Sequence, residues 1–338
     1  MKLRLLGLAL TVAVLLATAG GTARAGHTAR TVDKVRYATS FGTFGRDAYV
    51  YVALAKGWFE AAGIDVTVTP GTGSETGMKL LAAGQLDFTP VDITAAVLTR
   101  ANEGLPVKIV SVVHQRSLSS ILALAGNGIT TNPKTLEGKT IADSPGSTVG
   151  AVFPLYAKRA GIDASKVRFV PAAPPALPSL LASGRVDAVG QFSVGVPLFQ
   201  AAAGGRAIVT LPYQRYLPGL MGIGIATTDA MVARNPALVR RFVAVENRGL
   251  AYALAHPEEA GQILQRYAPL ANAQVAAAEL RIMRGYVVNA DTKRCGIGWG
   301  NPKRIGATIS IVNNGFHPKT GLRVRDIFAA RFVKSKCK

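Results

Sequence analysis

Three phrases occur twice along this chain, in the same order and at nearly the same spacing. Ala38–Thr43 (ATSFGT) is echoed by Ala142–Ser147 (ADSPGS), Ala62–Asp65 (AGID) by Ala160–Asp163 (AGID), and Leu80–Asp87 (LLAAGQLD) by Leu180–Asp187 (LLASGRVD). The offsets are 104, 98 and 100 residues. Glycine after a helix is common, so any single match carries little weight. Order and spacing together predict two similarly wired α/β units, and such a pair leaves a cleft where the strand ends of one face those of the other.

Hydrophobic periodicity fills in the plan. Val35, Tyr37 and Thr39 alternate as a strand does, Ala48 to Ala62 carries apolar residues on one helical face up to Gly63, and Ile64, Val66 and Val68 alternate again. Ser74 is expected to cap a helix stopped by Gly84. A short strand at Leu86–Phe88, a helix from Thr94 to Ala101 and a strand at Val107–Val113 follow. Beyond a strand at Ile121–Ala125 the plan repeats, with strands at 139–142, 167–170 and 186–189 and helices at 149–160 and 177–183. Gly222–Ala226 reads as a strand returning to the first unit, and helices dominate afterwards, at 236–255, 258–267, 272–285 and 302–313. The fold class is therefore α/β, two-lobed, each lobe a mostly parallel sheet flanked by helices. Lobe 1 spans 33–125 plus 222–338, lobe 2 spans 126–221, and two crossing segments form a hinge.

Residues 1–25 read as an export signal: Lys2 and Arg4, an apolar run from Leu5 to Ala19, then Ala23, Arg24 and Ala25 as a small-x-small cleavage site. No cysteine follows that run, so no lipid anchor is expected, and the implied location is periplasmic or secreted. Loss of Lys2, Arg4 and Arg24 with the signal takes the net charge from +20 to +17. The basic residues are scattered and not interleaved with aromatics, which suits a solvated surface and argues against a nucleic-acid partner. Cys295 and Cys337 are the only cysteines. In an oxidising compartment a bond between them would close a loop worth about 3–4 kcal/mol in the chain-entropy model, while free thiols stay the alternative because sequence does not set their distance.

Lys56–Glu60 (KGWFE), Gly63–Val66 (GIDV) and Ala83–Phe88 (AGQLDF) resemble the opening of the NMT1/THI5-like and SsuA/TauA-like solute-binding proteins of ABC importers. Leu136–Ile141 (LEGKTI) and Pro145–Thr148 (PGST) resemble the start of their second lobe, and the similarity runs over about residues 35–230. The resemblance implies a periplasmic binding protein of type II, a Venus flytrap that captures a small molecule outside the cytoplasmic membrane and delivers it to a permease. Relatives bind sulfonates, nitrate, thiamine pyrimidine precursors or riboflavin. Fungal relatives that are enzymes carry a cysteine-rich motif, which this sequence lacks. A monomeric, non-enzymatic receptor is the expectation, with an exported pyrimidine-processing enzyme or a ligand-sensing subunit as alternatives.

Ligands of open α/β sheets sit beyond the carboxyl ends of the strands. Four segments qualify: Ser40–Phe44, Val91–Thr94, Ser144–Thr148 and Gly190–Ser193. Gly146, Ser147 and Thr148 open a helix whose free N–H groups suit a carboxylate, sulfonate or phosphate, unless Ser147 merely caps its own helix. Phe41, Phe44 and Phe192 suit a planar ring. Asp92 offers an acceptor for ring N–H or amino groups and Gln191 can both donate and accept, Asp92 being nearly as well suited to cap the helix from Thr94 onward. Arg116 is placed to reach an anion, and Tyr213 and Tyr216 to rim the cleft. His27, His114, His256 and His317 form no metal-ligand pattern, and Gly71–Ser74 lacks the lysine of a phosphate loop, so no metal and no cofactor is expected.

Overall fold

The computed structural model describes residues 32–337; the predicted signal segment lies outside them. Twelve strands are arranged in two α/β halves. The first comprises β1 (Asp33–Ala38), β2 (Phe41–Gly42), β3 (Ile64–Thr69), β4 (Gly71–Thr72), β5 (Thr89–Asp92) and β6 (Val107–Val112). The chain then crosses on β7 (Ser119–Leu124) into β8 (Thr140–Asp143), β9 (Arg168–Pro171), β10 (Ala188–Phe192) and β11 (Ile208–Pro212), and returns on β12 (Ile223–Thr228).

The second sheet has the order β11-β7-β10-β8-β9; in the first, β12 lies between β5 and β6, and β1 pairs with β3. β1 also meets the approach to β5 through a parallel bridge between Tyr37 and Phe88. The two-stranded β2-β4 ribbon is antiparallel, and elsewhere only the crossing strands run against their neighbours: β7 is antiparallel to β10 and β11, and β12 to β5 and β6. A crossing strand enters its sheet without a helical crossover to turn it round, so it runs against its neighbours. Helices cover the faces. Phe242, on the helix Pro236–Ala255, stacks on Phe88 with ring centroids 4.0 Å apart.

The repeated phrases perform the same physical task in both halves. Gly84 and Gly184 end their helices in the left-handed region, at φ 68° and 69°, where a side chain would be strained. Each donates back to a leucine carbonyl, Gly84 N–H to Leu81 O at 3.0 Å and Gly184 N–H to Leu181 O at 3.0 Å. Three residues on, the aspartate clamps the first strand of its own half. Asp87 N–H donates to Arg36 O (2.9 Å) while its carboxylate accepts from Arg36 N–H (2.7 Å). Asp187 does the same with Thr140, at 3.0 and 2.8 Å.

These clamps explain where the sequence reading slips. The strands expected at 86–88 and 186–189 begin later, at Thr89 and Ala188, because Asp87 and Asp187 spend their hydrogen bonds fixing the entry to the ladder. The helix expected from 48 to 62 is broken, since Gly57 (φ 66°) separates Ala48–Ala55 from Trp58–Ala61. Gly73, not Ser74, is the cap of the helix Ser74–Ala82; the Ser74 hydroxyl instead accepts from Asp92 N–H at 3.0 Å. Edge strand β11 was not anticipated, although its Ile-Val-Thr-Leu run has β-forming composition. Near the C-terminus, Cys295 and Cys337 are joined by a disulfide. Among the described residues, no helix is long and apolar enough to cross a membrane.

Replacing Asp187 with alanine is expected to cost about 1–2 kcal/mol by leaving Thr140 N–H without its acceptor. Chemical denaturation should show that loss, with Asp187→Asn recovering part of it because an amide oxygen still accepts.

Candidate functional site

The ends of β1, β8 and β10 meet the start of the helix Ser74–Ala82, while Asp92 and Thr94 at the end of β5 stay outside the lining. The meeting ends bring together Ser40, Phe41, Ser74, Ser147, Thr148, Gln191 and Phe192 around a cavity of only about 10 Å³, close to the room needed by one water. The halves are therefore closed upon one another. Phe41 of the first meets Phe192 of the second with ring centroids 6.0 Å apart. At the rim, Ser144 Oγ donates to Thr72 O (3.2 Å) and Glu75 N–H to Gly146 O (3.4 Å). Gly73, at φ 135°, allows this approach, since a Cβ there would stand 3.0 Å from Gly146 O. Outside the rim lies an open groove of about 440 Å³ bordered by Thr72, Thr76, Pro145, Pro171 and Pro174.

Both helix starts at the cleft are already capped by the protein. Ser147 Oγ accepts from Val149 N–H (3.0 Å), and Asp143 accepts from Gly150 N–H (2.9 Å) and Ser144 N–H (2.8 Å). Asp92 is fully buried and accepts from Thr94 N–H (2.8 Å) and Ala95 N–H (3.4 Å). An anion arriving at the Gly146–Thr148 start would meet a carboxylate where the sequence suggested open amides, and at the other start Asp92 is the cap that the sequence allowed for. Burial pushes Asp92 up to about 7 and Asp143 up to about 6, against the pull of those N–H donors.

Two expected residues lie elsewhere. Arg116 turns to the C-terminal helices, its guanidinium 4.4 Å from the Tyr286 ring centroid. Tyr213 is fully buried, stacked on Tyr156 at 4.1 Å and donating to Val149 O at 3.1 Å, so it is core and not rim; Tyr216 packs edge-on against Tyr156. Phe44 is half-buried and holds its ring 4.7 Å from the guanidinium of Arg46.

Arg46 itself escaped the sequence reading. It is 2% exposed, donates from Nη2 to Phe41 O at 2.6 Å, and lies 5.1 Å from the Phe192 ring centroid. Around it are Asp47, Glu279 and His114. Glu279 accepts from Arg46 N–H at 3.3 Å and is pushed by burial up to about 7. His114 is held down to about 3, chiefly by burial and then by the charge of Arg46. A signal for Glu279 was present: it shares the apolar face of its helix with Ala276, Leu280 and Met283.

Burial also raises Asp47 to about 6 and Glu246 to about 8. With Asp92, Asp143 and Glu279, five carboxyl groups thus bind protons more tightly folded than unfolded, where they titrate near 4. Their stabilising contribution is full below about pH 4 and lost as pH rises through about 6 to 8, while His114 acts in the opposite sense below its unfolded value, and the exposed Asp163, Glu258, Glu259 and Asp326, whose values are lowered, do so only in more acid solution. The ligand-free protein should therefore melt at a higher temperature at pH 5 than at pH 8, and a scan rising across that window would contradict these burials.

Comparison with known proteins agrees with the architecture. The family model described as NMT1/THI5 like matches residues 47–260, more than half of the chain. The riboflavin-binding protein RibY of Chloroflexus aurantiacus is 28% identical over 289 residues, covering 80% of this chain and 79% of RibY. A solved protein from Bordetella bronchiseptica superposes with a TM-score of 0.74 at 17% identity, over 88% of this chain and 95% of that one. The alkanesulfonate-binding protein SsuA from Xanthomonas axonopodis pv. citri, bound to MOPS, gives 0.69 at 14% identity, over 88% and 98%. The fold is the two-lobed one of periplasmic binding proteins, and the chain belongs to the NMT1/THI5-like family.

Proposed function

We propose that this protein is the extracytoplasmic solute-binding component of an ABC importer, and that it captures an uncharged, ring-bearing nutrient of the flavin kind and presents it to a membrane permease. Lobe 1 is formed by 33–125 and 222–338, lobe 2 by 126–221, and residues 1–25 direct export. The observation that carries the reading is the pairing of Phe41 with Phe192 across the cleft, beside the Arg46 guanidinium. Two aromatic faces from opposite lobes are what a planar ligand needs to be held on both sides. Likeness to RibY supports a flavin-sized ring, and the carboxylates capping both helix starts weigh against a sulfonate or nitrate.

Capture works by population shift. A ligand that touches both lobes only when they are closed draws the molecule into that state, and its release to the permease follows reopening. The cavity of about 10 Å³ has no room for a ring until the two phenylalanines part.

Native mass spectrometry of protein purified without refolding should reveal a co-purifying small molecule of unchanged mass; a chemically altered one would favour an enzyme. Riboflavin at about 100 times its Kd should stabilise the fold by about 2.7 kcal/mol, visible as a rise in Tm. No shift with riboflavin, other flavins or thiamine pyrimidine precursors would overturn the proposal. Phe192→Ala should weaken ring binding about 5- to 100-fold.

A further inference from the structure

Arg46 and Gln191 leave buried donors unanswered on the same aromatic pair. Arg46 uses Nη2 on Phe41 O, while its Nε and Nη1 have no acceptor among the described residues. Gln191, 2% exposed, accepts from Phe192 N–H through Oε1 at 2.8 Å, and its Nε2 likewise has no acceptor. Buried N–H groups without acceptors are costly, and a guanidinium most of all, so a site that keeps three of them beside its ring-holding residues is built to have them met by something that enters. We propose that Arg46 and Gln191 form an inner donor subsite that reads the carbonyl edge of an uncharged heterocycle lying between Phe41 and Phe192. This rests on the ring-binding reading above and specifies which edge of the ring is recognised.

The surroundings select a neutral acceptor over a free anion. Arg46 is flanked by Asp47 and Glu279, and Asp92 and Asp143 stand at the two helix starts. An added negative charge would face these carboxyl groups in a dehydrated space, whereas a carbonyl oxygen accepts the same N–H donors without bringing charge. The guanidinium lies over the rings of Phe44 and Phe192, 4.7 and 5.1 Å from their centroids, and it offers a planar fork of N–H donors. Lysine keeps the charge but has no such fork.

Isothermal titration of the full mature chain can separate these ideas with two tricyclic probes of similar outline: lumichrome, which has two ring carbonyls, and phenazine, which has none. Wild-type protein should bind lumichrome about 10- to 100-fold more tightly than phenazine. Arg46→Lys should remove most of that ratio, weakening lumichrome binding about 10-fold more than phenazine binding. Equal affinity for the two probes, an unchanged ratio in Arg46→Lys, or stronger binding of naphthalene-2-sulfonate than of lumichrome would each overturn the subsite while leaving a ring-binding cleft intact. If neither tricycle nor riboflavin binds, the ring-binding reading fails and the subsite with it. Should Arg46→Lys not fold, the wild-type ratio alone decides.

Discussion

A guanidinium that is 2% exposed imposes conditions on everything around it. Arg46 cannot shed its charge, so its dehydration has to be offset by nearby acceptors, carboxyl groups and aromatic faces. The protein supplies these from near and far in the chain: Phe41 O from five residues before it, Glu279 from the helix Ala273–Val287, and Phe192 from the other half. Two of these come from the Arg46 side of the cleft. The third comes from across it, so Phe192 covers a buried cation and, in the proposed function, would also be a wall of the ligand site.

That double role gives closure its sign. The polar contacts at the rim are long, 3.2 and 3.4 Å, and face water, so they add little to the closed state. Burial of Phe192 against Phe41 and Arg46 is the larger gain, since an aromatic side chain removes far more apolar area from water than the rim does. A ring inserted between Phe41 and Phe192 keeps both faces covered and adds partners for donors that closure alone leaves unmet. Such a ligand strengthens the contact that already favours closure.

The frame was legible in the sequence because its repeated phrases do repeated work. Leu-Leu-Ala-x-Gly-x-x-Asp reads as helix, left-handed stop and strand clamp, and both copies fold that way. Asp92, Phe41, Gln191 and Phe192 were found at strand ends for the same topological reason. Arg46 was missed because an arginine in a sequence is by default a surface residue, and nothing local marks one that distant segments will cover. Arg116 and Tyr213 were misplaced on the opposite ground: position near a strand end does not fix which way a side chain turns. Ser147 and Asp143 show a further limit, since a helix start that looks open to an anion is filled by a carboxylate four residues before Ser147.

The two copies of the first phrase also explain why the repeat fixes the cleft without choosing its contents. Both end β-strands at the cleft, yet Phe41 and Gly42 form a short ribbon with Gly71 and Thr72, while Pro145 and Gly146 form the rim against Glu75. Gly71 is required there, because a Cβ would fall 1.8 Å from Thr39 O, and the Thr39 hydroxyl ties the ribbon together by accepting from Gly71 N–H (3.0 Å) and donating to Gly42 O (2.5 Å). Phe41 sits on this ribbon, and Arg46 Nη2 donates to its carbonyl at 2.6 Å. The first half carries Phe41 and Arg46, and the second carries Phe192. For a ring bound as proposed, recognition would therefore be asymmetric: the first half would set its orientation, and the second would supply the other face.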